Sequence, residues 1–180
     1  KGVIFIAPHM ANWEFANIWL GTQGRAAAIV RESDNPFQKE LISELRSVGS
    51  TQLIDKKEPM TRALSYLKTN GILGIVADQH AGDEGIKAPF FGYETGSVVG
   101  PAVFAYLTGA TILPLTFYRV APFSIKIMIE EPISWEKGED RDGSIKIITT
   151  LVNKALEKQI LNSPGQWLWQ HRRFREMTGD

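Results

Sequence analysis

Three short, wholly apolar runs set the limits on how this chain folds. They are Val3–Ala7, Ala26–Val30 and Ile72–Ala77. Each is too short to be the buried stripe of a helix, and a strand that is apolar at every position is one covered on both faces. Between the runs, apolar residues return at helical spacing. Phe15, Ile18 and Trp19 follow the first run, with Asn12 as the expected N-cap. Phe37, Leu41, Ile42, Leu45 and Val48 follow the second, opened by Pro36 and closed by Gly49. After a short strand around Gln52–Ile54, Met60, Ala63, Leu64 and Leu67 form a third helical stripe between Pro59 and Asn70-Gly71. Strand and helix therefore alternate, which predicts parallel pairing with helices as crossovers.

The later half departs from strict alternation. A polar loop from His80 to Ala88 leads through Pro89-Phe90-Phe91-Gly92 to a helix expected over Ser97–Leu107. A strand over Thr111–Tyr118 follows, and Ile125, Ile127 and Ile129 then alternate with polar residues, as in a strand with one wetter face. A long amphipathic helix is expected to turn Ile147, Ile148, Leu151, Leu156 and Ile160 inward. The expected fold class is α/β: one domain over residues 1–180, its largely parallel, mixed central sheet flanked by helices.

Composition removes several function classes. Lys plus Arg and Asp plus Glu number 20 each, so no global field draws the chain to nucleic acid. There is no cysteine, and His9, His80 and His171 lie far apart without metal-ligand spacing, so no metal or cofactor is expected. There is no G-x-S-x-G elbow and no Gly-rich phosphate loop. No run approaches the ~18 apolar residues of a membrane span.

What remains is the polar residues at the strand ends, where parallel sheets bind ligands. His9 ends the first strand, with Glu14 in the first turn of the helix after it. Arg31 ends the second, and Asp78-Gln79 ends the run from Ile72. A carboxylate turned back onto His9, expected from Glu14, would orient the imidazole and leave its other nitrogen to take a proton. Each residue also has a structural reading. His9 could be a satisfied loop histidine and Glu14 a first-turn acid favoured by the helix dipole. Arg31 could pair with Glu32 or Asp34, and Asp78 could cap a turn. The aromatic and basic stretch Trp167–Arg175 could hold phosphates through Arg172 and Arg173 or lie at a membrane, or could tuck its tryptophans into the core.

Together these residues resemble a known family. His9–Glu14, H-M-A-N-W-E, looks like the H-x-x-x-x-E signature of the lipid A biosynthesis acyltransferases, the lauroyl and myristoyl transferases. These belong to the wider glycerolipid and lysophospholipid acyltransferase group. The resemblance continues in order through V-R-E-S-D-N-P (Val30–Pro36), A-D-Q-H-A-G (Ala77–Gly82), P-F-F-G (Pro89–Gly92), Gly100 with Ala102, T-G-A (Thr108–Ala110) and Q-W-L-W-Q-H-R-R-F (Gln166–Phe174). Thr95 and Ser97 depart from it, standing where the family often has Ala and Thr. The resemblance implies a glycerol-3-phosphate/lysophospholipid acyltransferase-like fold, with His9 as general base and Glu14 orienting it. Arg31, Asp78, Gln79, Arg172 and Arg173 would bind substrate, with Asp78 holding an arginine or a sugar hydroxyl. It implies an acyl carrier protein or acyl-CoA donor and a lipid A precursor as acceptor. It also implies work at the cytoplasmic face of the inner membrane, and a family amino-terminal membrane-anchoring part that is absent from these residues. Other acceptors (a phosphatidylinositol mannoside or an aminolipid), a non-catalytic lipid-binding module and a carrier-docking scaffold are the alternatives.

Overall fold

The computed structural model describes residues 1–33 and 35–178; Asp34, inside the Val30–Pro36 motif, lies outside them. Six strands form one sheet: β1 (Val3–Ala7), β2 (Ala26–Val30), β3 (Gln52–Asp55), β4 (Ile72–Val76), β7 (Thr111–Ala121) and β8 (Ser124–Ile129), in the order β3-β2-β4-β1-β7-β8. The first five run parallel, and β8 returns antiparallel along β7. The three apolar runs are β1, β2 and β4, and they lie side by side in the sheet interior. This is the mixed, mostly parallel α/β architecture read from the sequence.

Helical crossovers put α1 (Phe15–Thr22) and α2 (Pro36–Ser47), which meet through Asn17 and Arg46, on one side of the sheet. The other side carries α3 (Met60–Lys68), α4 (Gly100–Thr108) and α5 (Arg141–Leu161). Alternate residues of β1 feed the two sides. Ile4 and Ile6 join Ala63 and Leu67 of α3, Phe104 of α4 and Ile148 of α5, whereas Phe5 joins Leu20 of α1 with Leu115 and Phe117 of β7. The T-G-A motif closes α4, where Gly109 takes the left-handed conformation (φ 66°) that a helix C-terminus favours.

Several details depart from expectation. Asn12 does not cap α1. Its Oδ1 accepts instead from Arg119 Nη2 of β7 (2.6 Å), and Glu14 takes the cap position without a side-chain hydrogen bond. The loop after His80 is less open than expected. A 3₁₀ turn at Gly82–Glu84 leads into a separate two-stranded hairpin, β5 (Ile86–Phe90) and β6 (Tyr93–Ser97), so α4 starts at Gly100 rather than Ser97. Ile147 of α5 faces solvent, because its neighbours Ile145 and Ile148 occupy the inward face.

The largest departure is α2. Asn35 caps it through Oδ1, which accepts from the Phe37 and Gln38 N–H groups, yet no residue of the helix is buried. Phe37 is 83 % exposed, and Leu41, Leu45 and Val48 on the same face are also open to solvent. A short strand beyond it (β3) is too small a platform to cover a twelve-residue helix.

Candidate active site

The register of two neighbouring strands builds the centre of the site. Ala7 of β1 lies opposite Val76 of β4, and the Ala77 N–H bonds the Ala7 carbonyl. Two residues further along each chain stand His9 and Asp78, side by side at the carboxyl rim of the sheet. His9 Nδ1 lies 2.5 Å from Asp78 Oδ1, and the His9 backbone N–H donates to Asp78 Oδ2 at 3.0 Å. A third donor, the Trp167 indole Nε1, reaches Oδ2 at 2.6 Å.

These contacts determine protonation. Asp78 is 2 % exposed. Burial pushes its carboxyl up, but the His9 hydrogen bonds and charge, together with the Trp167 indole, outweigh it and hold the group below its ordinary value. An ionised carboxylate only accepts, so Nδ1 of His9 carries the proton. Nε2 is then the nitrogen that Asp78 does not engage, and in the neutral ring it is a proton acceptor. The imidazole is 17 % exposed, with the Trp13 ring edge-on at 5.2 Å.

The carboxylate that orients His9 is thus Asp78 and not Glu14, as the five-residue spacing led one to expect. Glu14 turns away from the imidazole, and both its oxygens are taken by Arg46 of α2, at 2.9 Å from Nε and 2.7 Å from Nη2. The Trp13 indole adds a bond to Oε1 at 3.2 Å. A bidentate guanidinium fork of this kind fixes orientation as well as charge. Glu14 therefore ties the loop after β1 to α2 and, through Trp13, sets the ring that flanks His9. Asp78, expected to hold an arginine or a sugar hydroxyl, instead has His9 and Trp167 as its hydrogen-bond donors and lies buried beneath them.

The remaining expected site residues divide. Arg31 follows β2, the neighbour of β4, and is exposed on the same rim; Gln79 follows Asp78 directly. Arg172 is exposed, but Arg173 is not: it is 1 % exposed, pushed down to about 10 by burial, and set over the Phe90 ring. Its guanidinium donates to Thr95 Oγ1 (3.1 Å), the Gly96 carbonyl (2.6 Å) and Ser97 Oγ (3.0 Å). A guanidinium spent this way inside the β5–β6 hairpin is a structural pin rather than a phosphate ligand. Thr95 and Ser97, the two departures from the family pattern, supply its acceptors. At the start of α1 the backbone N–H groups of Phe15, Ala16 and Asn17 are engaged by the carbonyls of Asn12, Trp13 and Glu14.

Arg46, Arg119 and Trp167 join this cluster without a local mark in the sequence. The first two look like ordinary surface cations in sequence. Trp167 belongs to the aromatic and basic stretch, but nothing in its spacing points to Asp78.

An imidazole fixed by a buried carboxylate at the carboxyl rim of a mostly parallel sheet is an arrangement suited to proton transfer, set in an α/β domain. The sequence profile of the bacterial lipid A biosynthesis acyltransferases matches residues 1–176, and the chain belongs to that family. It is 25 % identical over 178 residues to a lipid A biosynthesis palmitoleoyltransferase of Escherichia coli, an alignment covering 97 % of this chain and 56 % of that protein. A lipid A biosynthesis lauroyltransferase of the same organism is 23 % identical over 177 residues, covering 97 % and 56 %. A phosphatidylinositol mannoside acyltransferase of Mycobacterium tuberculosis is 29 % identical over 118 residues, covering 63 % and 37 %. The chain spans about half the length of the curated relatives it matches.

Proposed function

We propose that this domain transfers a fatty acyl group from a thioester, on acyl carrier protein or coenzyme A, to a hydroxyl of a lipid A precursor or a related glycolipid. The observation that carries this reading is the His9–Asp78 pair, which leaves Nε2 of a tautomer-fixed imidazole as the proton acceptor. Nε2 takes the hydroxyl proton as the oxygen attacks the thioester carbonyl. The tetrahedral intermediate then expels the thiolate, which recovers that proton from the imidazolium, so ester and thiol are the products and no acyl-enzyme forms. Asp78 steadies the imidazolium while it exists. Glu14 acts one step removed, by holding Trp13 and the loop. Arg31 and Gln79, which follow β2 and Asp78, are the residues we assign to phosphates and sugar hydroxyls of the substrates, with Arg172 as a further exposed cation. The named relatives support an acyl transferase on lipid acceptors, and those that act on phosphatidylinositol mannoside support a glycolipid as the class.

The acceptor class calls for a lipid surface, and α2 is the element suited to meet one. No helix among the described residues is long and apolar enough to cross a membrane. An amphipathic helix with an open apolar face lies in the interface instead. We place this surface at the cytoplasmic face of the inner membrane, where the acyl thioester donors are.

The deciding assay is transfer from a labelled acyl thioester to a lipid A precursor in detergent, wild type against His9→Ala. General-base loss predicts a fall of about 10²–10⁴-fold with the circular dichroism spectrum unchanged. Equal transfer by both proteins would remove His9 from the chemistry.

A further inference from the structure

The aromatic carboxyl-terminal stretch reaches the imidazole through the carboxylate. Asp78 accepts three hydrogen bonds; two come from His9 itself, and the third comes from an indole 89 residues further along the chain. Trp167 is held on every side. Its ring packs against Phe90, Phe91 and Trp169, with centroids 6.1, 6.2 and 4.6 Å away. Its backbone forms an antiparallel bridge with Met10, and the next N–H, that of Leu168, donates to the His9 carbonyl at 3.0 Å. The same short segment therefore fixes His9 through its main chain and Asp78 through its side chain.

We propose that Trp167 is a positioning residue for acyl transfer: its indole N–H aims the Asp78 carboxylate and takes up part of its negative charge, so that His9 presents an unprotonated Nε2 at working pH. This rests on His9 being the general base. An indole N–H is a donor only, so it favours the ionised carboxylate over the neutral acid. At a site this buried, water does not replace a lost donor. Without the indole, negative charge on Asp78 is shared among fewer donors and concentrates on the His9 bond. The imidazolium is then held more tightly, His9 keeps its proton to higher pH, and less free base is present at neutrality. Among the described residues, the charged or titratable groups near the pair include His171 and Arg173 on the same segment, His80 in the loop after Asp78, and Glu14 with Arg46 on the Trp13 side. A Trp167→Phe change leaves all of them in place and keeps most of the packing against Phe90 and Phe91.

The test compares wild type and Trp167→Phe, using lauroyl-coenzyme A and a lipid A precursor in detergent across pH. The expected result is that the acid limb of kcat moves up by about one pH unit, with kcat at neutral pH down by up to about tenfold and both KM values within about twofold. An unmoved limb with only a lower Tm would make Trp167 a packing residue and overturn the proposal. A second measurement needs neither turnover nor a variant that folds. In the unsubstituted chain, the Trp167 indole proton should resonate well downfield of the other four tryptophans and shift along the titration curve of the His9 imidazole. An indole signal indifferent to that titration would overturn the positioning role even in an active protein. A linked titration in a protein that transfers no acyl group would support the positioning contact and break the general-base reading instead.

Discussion

Two imidazole–carboxylate pairs among the described residues are wired in opposite senses. His9 donates from Nδ1 to Asp78 and has Nε2 left over. His80 accepts from the Gly82 N–H at Nδ1 (2.9 Å), so its proton sits on Nε2 and is directed to Glu176 at 2.8 Å. Both nitrogens of His80 are occupied, its side chain is 5 % exposed, and its ring lies against Gly96 so closely that a Cβ there would collide with it. A histidine with both nitrogens satisfied is a fastener. One with a single nitrogen fixed by a buried carboxylate, and with its ring partly open, is equipped for proton transfer. The carboxylates follow suit: Asp78 is sunk beneath the rim, whereas Glu176 closes the short helix α6 (Arg175–Thr178) onto the hairpin through the Gly96 N–H and Thr95 Oγ1.

The sharpest way to break this contrast is Asp78→Asn. Two N–H donors, from His9 and Trp167, converge on Oδ2, so the amide oxygen of an asparagine must occupy that position. Its NH₂ then faces Nδ1 of His9, which forces the proton to Nε2 and removes the base. Acyl transfer should fall by about 10³-fold or more, with little change in KM. Glu14→Gln keeps its hydrogen-bond acceptor and touches His9 only through Trp13, so the loss there should stay within about tenfold. Equal losses in the two variants, measured side by side, would return Glu14 to direct contact with the imidazole in the working state.

A smaller effect is expected on the open face of α2, the surface proposed to meet lipid. Phe37→Glu with Leu41→Glu places charges on the open face of α2, and sedimentation with anionic phospholipid vesicles should weaken by about tenfold or more. Because no residue of α2 is buried, Tm should stay unchanged. Undiminished vesicle binding would move the lipid-facing surface elsewhere.

Much of this was legible in the sequence, for identifiable reasons. A strand buried on both faces has no polar residues to blur it, so β1, β2 and β4 stand out, and their ends mark His9, Arg31 and Asp78 as neighbours. What the sequence does not display is register. Whether His9 meets Glu14 or Asp78 depends on Ala7 lying opposite Val76, a relation across 69 residues. Local spacing favoured the nearer acid, and the nearer acid was claimed by Arg46 on a helix whose position could not be read from its own stripe. The same limit hid Arg173. An Arg-Arg pair reads as a surface cluster until Thr95, Gly96 and Ser97 are seen to surround one of its members.

The smallest predicted effect concerns the fastening pair. Burial pushes the Glu176 carboxyl up, but bonds from His80, the Gly96 N–H and Thr95 hold it at about 2, against an ordinary 4.5. A carboxyl lowered in the folded state contributes stability that is complete above its unfolded value and is lost as pH falls through the folded one. The contribution is therefore whole at neutral pH, starts to fade near 4.5 and is lost as the pH falls through about 2. Glu176→Gln should lower Tm at neutral pH by about 2–4 °C, and the gap to wild type should close as the pH is taken down through that window. Acyl transfer at neutral pH should not change, because both nitrogens of His80 are spent inside the fold. A Glu176→Gln protein with normal Tm and a collapsed rate would erase the distinction between fastener and base, and would bring the His80 loop into the reaction.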